Sequence, residues 1–343
     1  MPRFGAFCVR SLAGLAYVGI LFAPWPVLRA AELGGKPEKS EVIVTYAQPS
    51  AAFTHLWVAQ EAGLYKKHGL NAKLQLLNPQ VSAQTVVAEE ADFYTDGPDL
   101  INARLRGARV KYFGGTMQQL VFQIWSAKEI TEIQQLKGKT VAATTPRAAI
   151  DTATRETLKR YGLTPDKDVK ILYVQTVPAV LSSVISGNTS AGTLSAPNTL
   201  KAQEAGLRLL ADIGKLNIPG LQVTYGTTEK YLKDHPNTVL AFLKAVAEGV
   251  VLSKKDPALA KKTIMKYGKI DDPKLAEGSY DYFAPYWALS LSVRSDAIQA
   301  QFAYMDEKEF PLAKNTDAKE FFDNSFVEYL AKSGFLQKIG MSP

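Results

Sequence analysis

The chain of 343 residues is 46% apolar and 21% charged, with 24 Gly and 18 Pro. These proportions exclude a disordered, collagen-like or coiled-coil protein, and the length suffices for two lobes, each with its own core. One Cys, Cys8, excludes a disulfide framework, a Cys-rich zinc site and an iron–sulfur cluster, and the formal charge of +7 is spread without the cluster that a nucleic-acid binder carries on one face.

Arg3 and Arg10 precede an almost unbroken apolar run over 12–23, and Ala30 follows it. A run this short is the core of an export signal, since a membrane span takes about 20 residues. Residues 1–30 are expected to be a cleaved signal peptide, and 31–40, with Gly34, Gly35 and Pro37, a flexible leader. Loss of Arg3, Arg10 and Arg29, with no acid in that segment, lowers the charge to +4 and leaves no Cys.

A β-rich run at 41–46 leads through Ala47-Gln48-Pro49-Ser50 into helical spacing over 53–67, and a strand is predicted at 72–77. The same order returns with a strand at 140–144, Thr145 as cap, Pro146 at the first helical position, a helix over 149–161 and a strand at 169–174. Short buried strands at 91–95 and 191–194 precede two helices that echo one another. Pro98 and Pro197, Ala103 and Ala202, Gly107 and Gly206, and Arg109 and Arg208 each lie 99 positions apart. These pairs imply two similar α/β lobes. From 227 onward only helices are predicted, at 228–232, 236–254, 257–267, 275–287, 295–304 and 318–333. A block without strands cannot build a third sheet and is expected to fold back on the first lobe.

His55, His68 and His235 are scattered, without a metal-ligand pair, and the chain has no Gly-x-Ser-x-Gly elbow, Walker A loop or Gly-x-Gly-x-x-Gly. No catalytic residue, metal or cofactor is therefore expected. A strand followed by a capped helix recurs at 48–53, 96–100, 144–148 and 195–199. In an open parallel sheet, ligands bind beyond the carboxyl ends of the strands, where these turns lie. Each helix start offers unpaired N–H groups worth roughly 0.3–1 kcal/mol toward an anion. Arg147 can add a bidentate contact to a carboxylate or sulfonate; the plainer alternative makes Arg147 solvated and Thr145 and Ser195 simple caps. Phe53 and Tyr225, beside turns, are candidate walls of an apolar pocket, whereas Tyr46, Trp57 and the aromatics of 282–287 have core spacing.

The run Leu56-Trp57-Val58-Ala59-Gln60-Glu61-Ala62-Gly63-Leu64-Tyr65-Lys66-Lys67-His68-Gly69-Leu70 resembles a segment of the NMT1/THI5-like group of periplasmic solute-binding proteins, which includes nitrate, sulfonate and taurine binders. So do Leu136-Lys137-Gly138-Lys139-Thr140-Val141, Gly162-Leu163-Thr164-Pro165-Asp166 with Asp168-Val169, and Thr228-Glu229-Lys230-Tyr231-Leu232 up to Pro236. The resemblance covers about 41–335. It departs from the family pattern at Glu89-Glu90-Ala91, where a Gly is common, and at Ser190, where an Asp is common.

The resemblance implies an α/β, two-lobed type II periplasmic-binding-protein fold, with two doubly wound lobes joined by a two-strand hinge. Lobe one would be 41–127 plus 227–335 and lobe two 128–226, with crossovers near 126–129 and 221–225. Ligand residues would come from the strand-end turns: Gln48, Ser50, Ala51, Phe53, Asp96, Thr145, Arg147, Ser195 and Tyr225. Asp96 and Arg147 together would suit an amino or heteroaromatic acid. The implied function is that of an exported, periplasmic monomer that captures a small anion (a sulfonate, nitrate, carboxylate or heteroaromatic acid) and delivers it to an ABC-transporter permease. The alternative is an enzyme on the same fold, such as a pyrimidine (thiamine precursor) synthase; that branch uses a Cys-rich iron motif, and no Cys follows Cys8.

Overall fold

The computed structural model describes residues 33–305, 307–311 and 313–342. The expected signal peptide, Cys8 and the cleavage point at Ala30 lie outside the described residues. The strands are β1 (Glu41–Tyr46), β2 (Asn71–Leu76), β3 (Phe93–Asp96), β4 (Val110–Gln119), β5 (Gln123–Ser126), β6 (Thr140–Ala143), β7 (Lys170–Tyr173), β8 (Ala191–Leu194), β9 (Arg208–Asp212) and β10 (Pro219–Thr228). Among the described residues they form two five-stranded sheets, in the orders β2-β1-β3-β10-β4 and β7-β6-β8-β5-β9.

Each sheet has the same plan. β1 pairs parallel with β2 and β3, and β6 pairs parallel with β7 and β8. One long-range strand then enters each sheet antiparallel: β10 between β3 and β4, and β5 between β8 and β9. The molecule is thus a two-lobed α/β protein. The two echoing helices occupy Asp99–Leu105 and Asn198–Glu204, each followed at the same distance by a left-handed glycine, Gly107 or Gly206.

Four sequence expectations are corrected. The crossovers lie at 120–122 and 213–218, not at 126–129 and 221–225, because Gln123–Ser126 already pairs in the second sheet and Leu221–Tyr225 lies within β10. The helix expected over 53–67 is interrupted: Thr54–Glu61 ends before Gly63, at φ +67°, and Leu64–Lys67 restarts. The helix Ala149–Arg160 is not capped by Thr145. Ala148 holds the N-cap position, and Asp151 in the first turn accepts from the Arg147 N–H at 2.7 Å. The described part of the leader is tied down. Gly34 and Gly35 donate to Asn237 Oδ1, and the Glu38 carboxylate accepts from the N–H groups of Asn237 and Thr238 at 3.1 and 2.9 Å. These N–H groups open the helix Pro236–Lys255, whose first turn has no partner within the helix itself.

Among the described residues, 229–342 build no strand. Pro236–Lys255 is apolar on most sides because it is enclosed: Phe242 stacks on Phe93 of β3 with ring centroids 4.4 Å apart, and Leu240, Val246 and Val250 are buried. His55, on Thr54–Glu61, is fully enclosed in the same core; its Nε2 lies 2.7 Å from the Tyr225 hydroxyl, and its Nδ1 has no partner. Burial alone holds its pKa down at about 3, so it is neutral.

Candidate functional site

A cleft of about 250 Å³ lies between the lobes, and its wall is built from the carboxyl ends of all six parallel strands. The first lobe contributes Gln48 and Ser50 after β1, Asn78 after β2, and Asp96 as the last residue of β3. The second contributes Thr144 after β6, Gln175 and Thr176 after β7, and Ser195 and Asn198 after β8. Phe122, in the first crossover, and Gln222, on β10 just past the second, complete the lining. The Gln222 amide clasps Val121, accepting from its N–H at 2.5 Å and donating to its carbonyl at 3.2 Å, so this end of the cleft is fixed to the hinge.

The lobes touch across the cleft. Ser50 Oγ lies 2.9 Å from Ser195 Oγ. A Cβ added at Gly97 would stand 3.2 Å from Ala149 Cβ and 3.1 Å from the Leu221 carbonyl. Glycine is therefore the side chain that fits where the turn after β3 meets the opposite helix. At the far side, the Tyr282 hydroxyl lies 3.1 Å from Asp212 Oδ1 and 3.2 Å from the Phe122 carbonyl, its one proton shared between these acceptors, and so joins the C-terminal helices to the second lobe.

Four of the nine site residues expected from the sequence line the cleft: Gln48, Ser50, Asp96 and Ser195. The others do not. Ala51 is buried in the short 3-10 turn that follows Ser50. Phe53 packs on Tyr46 at 5.9 Å inside the first lobe, and Tyr225 is sealed in the core against His55 and Thr116. Thr145 is buried off the cleft. Arg147, at φ +65°, sends its guanidinium out of the cleft to Glu309 Oε2 at 3.0 Å, and Arg106 reaches the other oxygen of the same carboxylate at 2.6 Å.

Asn78, Thr144, Gln175, Thr176, Asn198 and Gln222 were not among the expected residues. Asn78 and Thr176 carry a signal: each caps a helix, with Pro79 or Pro178 in the first turn, two or three residues past a strand. Gln222 carries none, because it lies on a strand whose partners are one hundred or more residues away.

Asp96 is the charged residue type of this lining. It is 6% exposed, and its Oδ2 has no hydrogen-bond partner. Burial first, and then the neighbouring Asp99 carboxyl, push its pKa well above the usual carboxylate range, while the Gly97 N–H opposes the shift. Asp99 is itself raised to about 6 by burial, although the Tyr94 hydroxyl donates to it at 3.0 Å. No Lys, Arg or His is among the described residues lining the cleft. Nor, among the described residues, does any group of three or more His, Cys, Asp or Glu side chains come together to hold a metal ion.

Two lobes of this strand order, with a cleft across the carboxyl ends of both sheets, define the periplasmic-binding-protein fold. The chain belongs to the NMT1/THI5-like family, whose pattern matches residues 50–260. Among solved structures it is similar to the alkanesulfonate-binding protein SsuA from Xanthomonas axonopodis pv. citri bound to MOPS, with TM-score 0.69 and 18% identity over 83% of this chain and 99% of that one. It is also similar to the periplasmic nitrate-binding protein NrtA from Synechocystis PCC 6803, with TM-score 0.72 and 15% identity over 87% of this chain and 90% of that one. A Candida albicans protein with the generic periplasmic-binding fold shares it at TM-score 0.62 and 13% identity, over 83% and 97%. At these identities the likeness is one of fold. No curated protein matches the sequence.

Proposed function

We propose that the chain is an exported solute-binding protein that captures a small molecule between its lobes, without chemical change, and delivers it to the permease of an ABC importer. The observation that carries this reading is the cleft itself: six strand ends from two lobes converge on about 250 Å³, a volume suited to a small organic molecule. The relatives of the same fold, a sulfonate binder and a nitrate binder by name, support the class. The mechanism is closure. A solute that contacts both lobes binds the closed state better than the open one and shifts the population toward it, and the closed pair of lobes is the surface that a permease reads. The short segments 120–122 and 213–218 absorb the rotation. The protein acts as a monomer in the periplasm.

Arg147, which the sequence offers either as a contact to a carboxylate or sulfonate or as a solvated side chain, lies outside the cleft on Glu309. The solute class is therefore set by the lining itself.

The test combines thermal unfolding with small-angle scattering on the chain from Ala31, purified through unfolding and refolding to strip bound solute. A solute at 1,000 times its dissociation constant stabilises by about 4 kcal/mol, and the same solute contracts the radius of gyration. Recovery of the solute unaltered is expected. Conversion to a product would replace this reading with an enzymatic one.

A further inference from the structure

We propose that Asp96 selects the solute, and that the solute is a small apolar molecule presenting an N–H donor, as a protonated amine, an amidine or an amino-substituted heterocycle, to Asp96 Oδ2. The inference rests on the solute-binding reading and names the chemistry that the cleft takes.

Three observations converge on it. The first is an acceptor without a partner: Asp96 Oδ2 is buried at the end of β3, on the cleft wall, and receives no hydrogen bond from the protein. A buried acceptor left unpaired costs stability, and a ligand that donates to it removes that cost only when bound, which makes the contact selective. The second is the absence of a cation from the described lining. The guanidinium of Arg147, on the turn after β6, is engaged by Glu309 outside the cleft. A protonated Asp96 could donate to an oxyanion, but the anion would then sit in a desolvated cleft whose described lining holds no cation to offset its charge.

The third is the remainder of the wall. Leu77, Phe122, Ile150 and Val177 give it an apolar body. The amides of Gln48, Asn78, Gln175 and Asn198 both donate and accept, which suits the edge of a heterocycle or amide. A donor group held at one end by a carboxyl, with an apolar body and amide contacts beyond it, is the arrangement that this wall complements.

The experiment uses two matched sets of probes of similar size. Benzylamine, benzamidine and 2-aminobenzimidazole carry the donor; benzoate and benzenesulfonate carry the oxyanion. Binding of each to the refolded wild-type protein and to Asp96→Asn is measured by titration calorimetry and thermal shift. The expected result is that the donor set binds wild type, the oxyanions bind at least tenfold more weakly, and Asp96→Asn loses at least tenfold for the donor set.

Binding of oxyanions in preference, unchanged or strengthened in Asp96→Asn, overturns the assignment to Asp96 while leaving the solute-binding reading in place. Donor probes that bind Asp96→Asn as well as wild type overturn it too. Silence from both sets overturns this assignment and leaves the solute-binding reading to the unfolding and scattering test given for it. Asp96→Thr serves if Asp96→Asn does not fold, and the preference between the two sets is read on wild type whatever either variant does.

Discussion

At Gly97 a side chain would press on Ala149 of the opposite lobe and on the Leu221 carbonyl, both just over 3 Å from the added Cβ. Gly97→Val is therefore expected to hold the lobes apart: solute affinity falls more than tenfold, and the radius of gyration with solute stays at its open value. The unfolding midpoint without solute shifts by only a few degrees. Equal contraction of variant and wild type in small-angle scattering would contradict this. His55 makes a different prediction. Its folded pKa of about 3 lies below the usual 6.5, so the unfolded chain binds the proton first. Its contribution to stability is complete above pH 6.5 and is lost as pH falls through that value toward 3, by up to about 1.4 kcal/mol per pH unit. Asp99 acts in the opposite sense: raised to about 6, it favours the folded state at low pH and costs stability as pH rises past its unfolded value toward 6. His55→Gln is expected to lose less stability than wild type between pH 6.5 and 4, measured by urea unfolding.

Among the elements, the contact between Glu38 and the helix Pro236–Lys255 carries the clearest energetic consequence. Burial works against the Glu38 carboxylate, but the N–H groups of Thr238 and Asn237 hold its pKa below the usual value. That contribution is present above the ordinary glutamate range and is lost as pH falls through the folded value. Glu38→Gln should cost about 1 kcal/mol at pH 7, as loss of a helix cap does, and the difference from wild type should shrink toward pH 3 in thermal unfolding. The parallel strands β1, β3, β6 and β8 and the helices at their ends were legible in the chain because their signals are local: an apolar run, then a cap or a proline. For the same reason the turns that carry Gln48, Ser50, Asp96 and Ser195 are legible in the sequence. β4, β5, β9 and β10 went unread because their partners are distant, and with them went Gln222 and the true crossovers. Phe53, Tyr225 and Arg147 sit next to the right turns but face elsewhere. Which way a side chain leaves a turn is decided by the packing around it, and no spacing rule carries that information.

On the scale of the whole molecule, Glu309 links the lobes by accepting Arg106 from one and Arg147 from the other. All three side chains are about half exposed, so the bridge to Arg147 is worth at most about 1 kcal/mol. Glu309→Gln is expected to lower the closed fraction of the solute-free protein about two- to fivefold, read as energy transfer between dyes on the two lobes. The difference should fade in high salt, where exposed pairs are screened. The order of the strands has a consequence for how the chain acquires its shape. Strands β5 to β9 form a continuous stretch that supplies every member of its own sheet, whereas the other sheet needs β10 between β3 and β4. The stretch 123–212 can complete its ladder from neighbours in sequence; the rest must close a loop around it before Tyr225 reaches Thr95. Loop closure of that length slows assembly. In refolding followed by pulsed hydrogen exchange, amides of β6 and β8 should gain protection before those of β3 and β10, so that the inserted half sets early and the interrupted half arrives last.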